Sequence, residues 1–197
     1  MTASDAPRTT HELWVVRHGE TEWSKSGRHT GRTDLALSEH GREQAKDVGA
    51  LLAQRRFAHV FVSPLSRARE TCTLAGYDDQ AELDGDLREW DYGDYEGLTS
   101  AEIQTTVTDW TVWDRPCPQG ESIEEVSTRA DRVIHRAREA SGDVMVFAHG
   151  HLLRVLIARW CQLDPTVGKR FALDTATVSV LGWEHNYPVI KRFNVRS

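Results

Sequence analysis

Apolar runs alternate with amphipathic segments along this chain, which is the pattern of a βαβ fold with a mostly parallel sheet. Three runs predict strands, at Leu13 to Val16, His59 to Val62 and Val144 to Ala148. Near the end, Thr177 to Trp183 and Val189 to Val195 predict a hairpin that closes the sheet. We therefore expect one three-layer α/β/α domain over residues 12–197, preceded by a disordered or loosely held tail over residues 1–11.

The segments between these strands have helical spacing. Ser38 is a suitable N-cap for a helix, and Ser63-Pro64 predicts the start of the next one, with serine as cap and proline at the first helical position. A short helix is predicted over 99–108, a long amphipathic one over 122–140, and a mostly buried one over 152–161. The connection over 92–121 is long for a compact domain, which favours a wall or lid over a site.

Composition narrows the choice of partners. The 197 residues carry a net charge of −6, which gives no general attraction to nucleic acid or to an anionic membrane. Three widely spaced cysteines, no secretory signal pattern and no apolar run of membrane-spanning length favour a cytoplasmic protein. The expected partner is therefore a small molecule.

Candidate chemistry lies where two of the strands end. Arg17-His18-Gly19 follows the first strand directly, and His149-Gly150 follows the run that ends at Ala148. Open α/β sheets bind ligands at the carboxyl ends of their strands. A neutral imidazole there can attack phosphorus and form a covalent phosphohistidine, so His18 is the candidate nucleophile.

Arginines beside these histidines suit the charge of a transferring phosphoryl group. Arg17 is adjacent to His18, and Arg67 lies in the first turn of a predicted helix. Arg69 would lie roughly 200° further around that helix, so we choose Arg67. His149 could donate a hydrogen bond to a phosphoryl oxygen and could be cationic there.

A leaving alkoxide also needs a proton, which a carboxyl group can supply. One segment offers five candidates, and the pattern alone does not select among Asp86, Glu89, Asp91, Asp94 and Glu96. Neither glycine-rich nucleotide motif is present, and His149 with His151 lacks the companion ligands of a metal site. We expect no metal and no cofactor.

Taken together, these motifs resemble the histidine phosphatase superfamily, which includes the cofactor-dependent phosphoglycerate mutases. The likeness runs from Leu13 to the hairpin and rests on Arg17-His18-Gly19-Glu20-Thr21, Thr30-Gly31, Leu37-Ser38-x-x-Gly41, Ser63-Pro64-Leu65-x-Arg67-Ala68-x-x-Thr71, Leu87-Arg88-Glu89 and Ala148-His149-Gly150. The resemblance implies a phosphoglycerate mutase-like fold and a phosphorylated His18. It also implies a phosphate pocket of Arg17, Arg67 and His149, a proton donor in Glu89, and substrate contacts at Thr30 and Gly31.

Finer motifs are similar to fungal sedoheptulose-1,7-bisphosphatases and small actinobacterial acid phosphatases. This likeness implies that Tyr92 and Arg154 lie near the substrate. Ser24 and Gly150 are also predicted substrate or phosphate contacts. Ser24 stands where mutases usually have asparagine, and the segment from Gly97 to Gly120 lacks their long basic insert. An open site favours water as the acceptor.

We therefore predict a metal-independent phosphomonoesterase that acts on a sugar phosphate or bisphosphate, such as sedoheptulose 1,7-bisphosphate. A cofactor-dependent phosphoglycerate mutase is the alternative, and a non-catalytic protein that binds phosphorylated ligands is the third reading. Trp110 and Trp113 are expected to be exposed, which makes them candidates for a substrate wall or a homodimer interface, while ordinary packing is an equally good explanation.

Overall fold

The computed structural model describes residues 11–53 and 55–196. Its strands are β1 (Leu13–Arg17), β2 (His59–Val62), β3 (Ala81–Leu83), β4 (Val144–Ala148), β5 (Val178–Glu184) and β6 (Tyr187–Val195). They form a six-stranded sheet in the order β3-β2-β4-β1-β5-β6. The pairs β1–β4, β2–β4 and β2–β3 are parallel, whereas β1–β5 and β5–β6 are antiparallel. The predicted mostly parallel sheet and its closing hairpin are therefore confirmed.

The helices connect these strands. They are α1 (Glu22–Ser26), α2 (Glu39–Leu52), α3 (Ser66–Leu74), α4 (Ser100–Gln104), α5 (Ile123–Glu139) and α6 (Gly150–Trp160). Ser38 caps α2, as predicted, by accepting a hydrogen bond from the N–H of Gly41. Ser122 caps α5 in a reciprocal capping box with Glu125.

Alternate residues of the central strands face opposite layers. In β1, Leu13 and Val15 belong to a core cluster shared with α5 and α6, whereas Trp14 and Val16 belong to a second cluster shared with α2 and α3. Because both faces of the sheet are covered, β1 and β4 are almost continuously apolar. This is the predicted three-layer α/β/α arrangement.

The predicted start of α3 is wrong. The helix begins at Ser66, and its N-cap is Leu65, which makes no side-chain capping bond. Ser63 directly follows β2 and still bonds β4, because its N–H donates to the carbonyl of Phe147 at 3.0 Å. The side chain of Ser63 is thereby left at the strand end, where it bonds a histidine instead of a helix terminus.

The expectation that Trp110 and Trp113 are exposed is also wrong. Their exposed fractions are 1% and 8%. Trp110 packs edge-on against Tyr95, with ring centroids 5.1 Å apart, and Trp113 packs against Trp90 at 5.9 Å. The ordinary-packing explanation holds for both, and the tryptophan argument for a homodimer interface is lost.

Among the α-helices and strands of the described residues, the sequence did not predict α1 and β3. β3 has three residues and is largely exposed. None of the helices in the described residues is long and apolar enough to cross a membrane. The predicted tail over residues 1–11 lies outside the described residues except for His11.

Candidate active site

The register of the central strands brings the two strand-end histidines together. Arg17 pairs with Ala148, and the N–H of His18 donates to the carbonyl of Ala148 at 3.0 Å. The residues that follow each strand are therefore neighbours, and the rings of His18 and His149 lie 5.1 Å apart between centroids. The carboxyl edge of the sheet thus holds both predicted histidines at its centre.

His18 is buried and fixed in one orientation. Its Nδ1 lies 2.7 Å from the carbonyl oxygen of Gly19. A carbonyl can only accept, so Nδ1 carries the proton and Nε2 keeps a free lone pair. Burial, followed by the charges of Arg67 and Arg17, holds the pKa of His18 well below its ordinary value, so the ring is neutral. The geometry provides the unprotonated nitrogen that a nucleophile needs.

Close backbone packing sets the position of the His18 loop. A Cβ on Gly19 would lie 2.3 Å from the carbonyl oxygen of Gly41, and a Cβ on Gly41 would lie 2.1 Å from the carbonyl oxygen of Glu20. These two glycines let the first turn of α2 contact the loop directly. Gly19 is thus needed for this close approach, and the Gly41 of the sequence motif has the same explanation.

Arg67 is fully buried and is held by backbone carbonyls. Nη1 donates to Thr33 at 2.9 Å, Nη2 donates to Thr30 and Gly31 at 3.0 Å each, and Nε donates to Nδ1 of His149 at 3.2 Å. A guanidinium has five N–H groups, so one on Nη1 remains without a partner in the described residues. Within those residues, Arg67 also has no carboxylate partner, which leaves its charge available to an anion.

His149 differs from the sequence expectation. Its Nδ1 accepts from Arg67, so Nε2 carries the proton and donates to Oγ of Ser63 at 2.7 Å. Burial, together with the nearby charge of Arg67, lowers the pKa of His149 well below its ordinary value. The expected cation is therefore a neutral ring, because a cationic arginine already bonds it. Ser63, which sequence reasoning placed at a helix cap, is the partner of its N–H.

Arg17 contributes a second cation beside His18. One of its terminal nitrogens donates to the carbonyl of Leu173. Its Nε is sealed from solvent and has no hydrogen-bond partner in the described residues. Such an unpaired buried donor is costly unless a ligand satisfies it. Gly150 packs on this guanidinium, since a Cβ there would lie 3.4 Å from Cζ of Arg17.

The structure distinguishes the five acidic candidates. Glu89 lines the cavity next to His18. The other four acids do not line it. Asp86 pairs with Arg132 and Arg136, and Asp91 pairs with Arg32. Glu96 accepts from the backbone N–H groups of Gly31 and Thr33, and Asp94 is exposed. Proximity therefore favours Glu89, which the residues alone had not singled out.

The carboxylate of Glu89 is anchored at the start of α6. Oε1 accepts the N–H groups of Trp90 at 2.9 Å and Leu152 at 2.8 Å, while Oε2 accepts that of His151 at 3.0 Å. A carboxylate oxygen has two lone pairs, so Oε1 is saturated and Oε2 keeps one free. Oε2 is therefore the atom on which Glu89 can hold or accept a proton.

Of these groups, Arg17, His18 and Glu89 border a cavity of about 290 Å³ that opens to solvent, whereas Arg67 and His149 are fully buried and do not line it. Of the predicted outer contacts, Ser24, Thr30, Tyr92, Gly150 and Arg154 line it. Gly31 does not line the cavity; its carbonyl holds Arg67 and its N–H is bonded to Glu96.

Several lining residues were not predicted, and most are sequence neighbours of predicted ones. They are Gly27, Arg28, His29, Ser100, His151 and Leu173. Arg28 and His29 precede the predicted Thr30-Gly31 pair, and His151 follows His149-Gly150, so adjacency was a usable signal for these three. Leu173 had no signal, because its carbonyl rather than its side chain bonds Arg17.

Backbone hydrogen bonds make one wall of the cavity a fixed structure. The N–H of His29 donates to the carbonyl of Leu98 at 2.8 Å, and that of Gly97 donates back to His29 at 2.9 Å. Arg28 donates to the carbonyl of Gly97 at 2.6 Å and forms a β-bridge with Thr99. These hydrogen bonds hold the segment around Gly97 to Thr99 against the loop that precedes Thr30.

Comparison with known proteins assigns this fold and site to a family. The family model of the histidine phosphatase superfamily (branch 1) matches residues 13–196. The chain belongs to the histidine phosphatase superfamily. Within the described residues, no group of three or more His, Cys, Asp or Glu side chains is arranged to hold a metal ion.

Two histidine phosphatases of known name are similar over most of this chain. An acid phosphatase of Mycobacterium tuberculosis is 45% identical over 179 residues, covering 89% of this chain and 88% of the relative. A sedoheptulose 1,7-bisphosphatase of Saccharomyces cerevisiae is 38% identical over 189 residues, covering 80% and 70%. The solved structure of a Mycobacterium tuberculosis open reading frame product has a TM-score of 0.90 at 42% identity, covering 94% of this chain and 98% of that one.

These relatives place the chain among the phosphatases of the superfamily. It is a phosphoric monoester hydrolase that acts on phosphorylated metabolites.

Proposed function

We propose that this histidine phosphatase hydrolyses a sugar phosphate or sugar bisphosphate through a phosphohistidine on His18. The observation that carries the proposal is the state of His18: a neutral ring with Nδ1–H bonded to Gly19 and a free lone pair on Nε2. Beside it lie Arg17 and Arg67, which lack carboxylate partners in the described residues. That combination supplies both a nucleophile and a site for the charge of a phosphoryl group.

In the first step, Nε2 of His18 attacks phosphorus. The Nε2–P bond forms while the bond from phosphorus to the leaving oxygen breaks. A proton passes from Oε2 of Glu89 to that oxygen, so a neutral alcohol leaves. In the second step, water attacks the phosphohistidine, the P–Nε2 bond breaks, and Oε2 takes a proton from the water. Glu89 is then protonated again for the next turnover.

Positive charge and hydrogen bonds stabilise the phosphoryl group in both steps. Arg17 offers its unpaired Nε–H and the terminal N–H groups that do not bond Leu173, and Arg67 offers its remaining Nη1–H. His149 holds Arg67 in place, and its Nε2–H is shared with Ser63. We propose that a phosphoryl oxygen takes over this N–H from Ser63 when substrate binds.

Transfer to water is favoured over transfer to a second substrate. The segment from Gly97 to Gly120 is short, and the cavity that it borders opens to solvent. A phosphoenzyme in such a site is accessible to water. The names of both relatives, a phosphatase and a bisphosphatase, support the same choice.

A second anion on the substrate would find further cations in the cavity. Arg154 lines it with Nε bonded to the carbonyl of Gly168 and with its guanidinium 4.7 Å from the ring of Trp113. No carboxylate pairs with Arg154 within the described residues. Arg28 also lines the cavity, although Glu102 lies 3.4 Å away. These two arginines favour a bisphosphate over a simple monoester.

The test is phosphate release from a panel of sugar phosphates and bisphosphates, including sedoheptulose 1,7-bisphosphate. We expect turnover of sugar esters by the wild type and none above background by His18→Ala. His59→Gln, at a partly exposed histidine on β2 that pairs with Glu82, is the matched control and retains the wild-type rate. Retained hydrolysis by a clean preparation of His18→Ala would overturn the mechanism. Isomerisation of 3-phosphoglycerate in excess of phosphate release would overturn the choice of water as acceptor.

A further inference from the structure

A buried tyrosine and histidine form a hydrogen-bonded pair in the cavity wall. The hydroxyl of Tyr92 lies 2.7 Å from Nδ1 of His151, and Tyr92 is only 1% exposed. Burial raises the pKa of Tyr92 well above its ordinary value, so the phenol keeps its proton. In the described residues, Nδ1 is the acceptor within reach of that proton. The hydroxyl of Tyr92 therefore donates, and Nδ1 of His151 is unprotonated.

The proton of His151 must then be on its other nitrogen. Burial, followed by the charge of Arg154, holds the pKa of His151 well below its ordinary value, and Arg17 acts in the same direction. A neutral imidazole has one N–H, and with Nδ1 accepting, that N–H is Nε2–H. Nε2 has no partner in the described residues and is not sealed from solvent. His151 therefore presents a neutral donor to the cavity.

Neighbouring rings restrict the orientation of this donor. The ring of His151 lies 5.4 Å from that of Trp113 and 5.9 Å from that of His29. Tyr92 meets it edge-on at 5.8 Å. The imidazole is enclosed by aromatic groups and tethered at Nδ1, so Nε2–H has a defined direction before any ligand binds.

The position of His151 relates this donor to the reaction. Its backbone N–H donates to Oε2 of Glu89, the oxygen that gives its proton to the leaving group in the proposed first step. An alcohol whose ester oxygen lies at Oε2 would have its carbon skeleton in the same cavity, which His151 also lines. A neutral N–H suits a hydroxyl oxygen, whereas a second phosphate is better matched by the arginines.

We propose that Nε2–H of His151, fixed by Tyr92, binds a hydroxyl oxygen of the leaving alcohol and makes the enzyme select hydroxylated phosphate esters. This inference rests on the proposed function, since it assigns the alcohol side of the same site. His151 is a specificity-determining residue, and Tyr92 positions it.

Two alkyl esters isolate the effect of the hydroxyl groups. The leaving groups of glycerol 3-phosphate and n-propyl phosphate are both alkyl alcohols whose oxygen needs the proton of Glu89. Only the glycerol leaving group carries further hydroxyls. The quantity measured is the ratio of their kcat/KM values. We expect the wild type to prefer glycerol 3-phosphate and His151→Phe to lower that preference about five- to tenfold, the loss of one neutral hydrogen bond. His151→Gln, which retains an N–H donor, restores part of the preference.

Two further variants separate the donor from general damage. Tyr92→Phe lowers the ratio less than His151→Phe, because the imidazole keeps an N–H but loses its fixed tautomer. His135→Gln, an exposed histidine on α5, leaves the ratio at the wild-type value. A ratio near one in the wild type, or an unchanged ratio in folded His151→Phe, overturns the inference.

Nitrogen-15 NMR gives a readout that a merely structural role would not move. The spectrum of ¹⁵N-labelled wild type should show His151 as the neutral Nε2–H tautomer, and Tyr92→Phe should show a mixture of tautomers. An Nδ1–H tautomer in the wild type overturns the inference even if His151→Phe does not fold. If the wild type releases phosphate from neither alkyl ester nor p-nitrophenyl phosphate, the proposed function fails. If it hydrolyses them without a preference that depends on His151, this inference alone fails.

Discussion

Replacing Glu89 with glutamine separates the two proposed proton transfers. In Glu89→Gln, the amide oxygen can still accept the N–H groups of Trp90 and Leu152 that Oε1 accepts now. The amide nitrogen would then face the N–H of His151, which lies 3.0 Å from Oε2 in the present structure. Two donors would meet there, and the free lone pair of Oε2 would be gone. The variant therefore keeps the shape of the side chain and removes its proton transfer.

The expected loss follows from the role of a general acid and base. Such a group contributes about 100- to 10,000-fold to the rate, which corresponds to about 2.7 to 5.4 kcal/mol of barrier. With a sugar phosphate as substrate, Glu89→Gln loses this rate contribution in both the phosphorylation and the hydrolysis step. With p-nitrophenyl phosphate, the leaving group needs no proton, so phosphorylation of His18 stays fast while hydrolysis of the phosphoenzyme becomes slow.

Rapid-quench kinetics with p-nitrophenyl phosphate is the appropriate assay. For Glu89→Gln we expect a burst of p-nitrophenol close to the enzyme concentration, followed by a slow steady state. Asp94→Asn, an exposed acid of the same segment, is the matched control and shows wild-type kinetics. A steady-state rate of Glu89→Gln within a few-fold of wild type on sugar phosphates would refute the reasoning. If phosphorylation of His18 and hydrolysis of the phosphoenzyme slow equally and no burst appears, Glu89 does not act on the two steps as proposed.

Three further predictions follow from the packing and protonation of the site. Gly41→Ala should lower the free energy of unfolding by about 1–3 kcal/mol or more in urea titrations and also reduce kcat, because its Cβ would lie 2.1 Å from a carbonyl oxygen of the His18 loop; Gly142→Ala, whose nearest contact is 3.4 Å, should do neither. Arg67→Met should cost about 1–3 kcal/mol in the same assay, since it leaves one buried and two partly buried carbonyls without their donor, and equal stability would contradict this. Burial lowers the pKa of His29 from 6.5 to about 4, so the unfolded chain binds its proton first and the free energy of unfolding falls as pH drops from 6.5 to about 4. That fall is about 1.4 kcal/mol per pH unit for this group, and urea titrations of His29→Asn should show a correspondingly smaller slope.

Much of the fold was readable from the sequence because its central strands are buried on both faces. β4 was predicted with its observed bounds, since an uninterrupted apolar run is a strong signal; the bounds of β2 were also predicted, although its residues alternate between partly and fully buried. β3 was missed, because an edge strand of three residues with exposed side chains carries no such pattern. The start of α3 was misplaced because Ser63-Pro64 has the local chemistry of a helix start, while the N–H of Ser63 instead donates to Phe147 of β4.

The site was predictable to the extent that it follows from strand ends. His18 and His149 meet because β1 and β4 are parallel neighbours in register. The choice of Glu89 needed the resemblance or the structure, because the neighbouring acids differ from it only in where they point. Burial was the property that sequence reasoning missed most often. Burial lowers the pKa of His149 and so keeps its ring neutral, and it removes Trp110 from the surface. The residues adjacent in sequence did not indicate the burial of either side chain.

The central claim is that His18 carries the phosphoryl group between the two steps. Mass-spectrometric mapping of Glu89→Gln, quenched in alkali during turnover of p-nitrophenyl phosphate, tests it most directly. We predict an alkali-stable, acid-labile phosphoryl group on His18. Phosphate release without a phosphorylated enzyme, or a phosphoryl group on any other residue, would contradict the account.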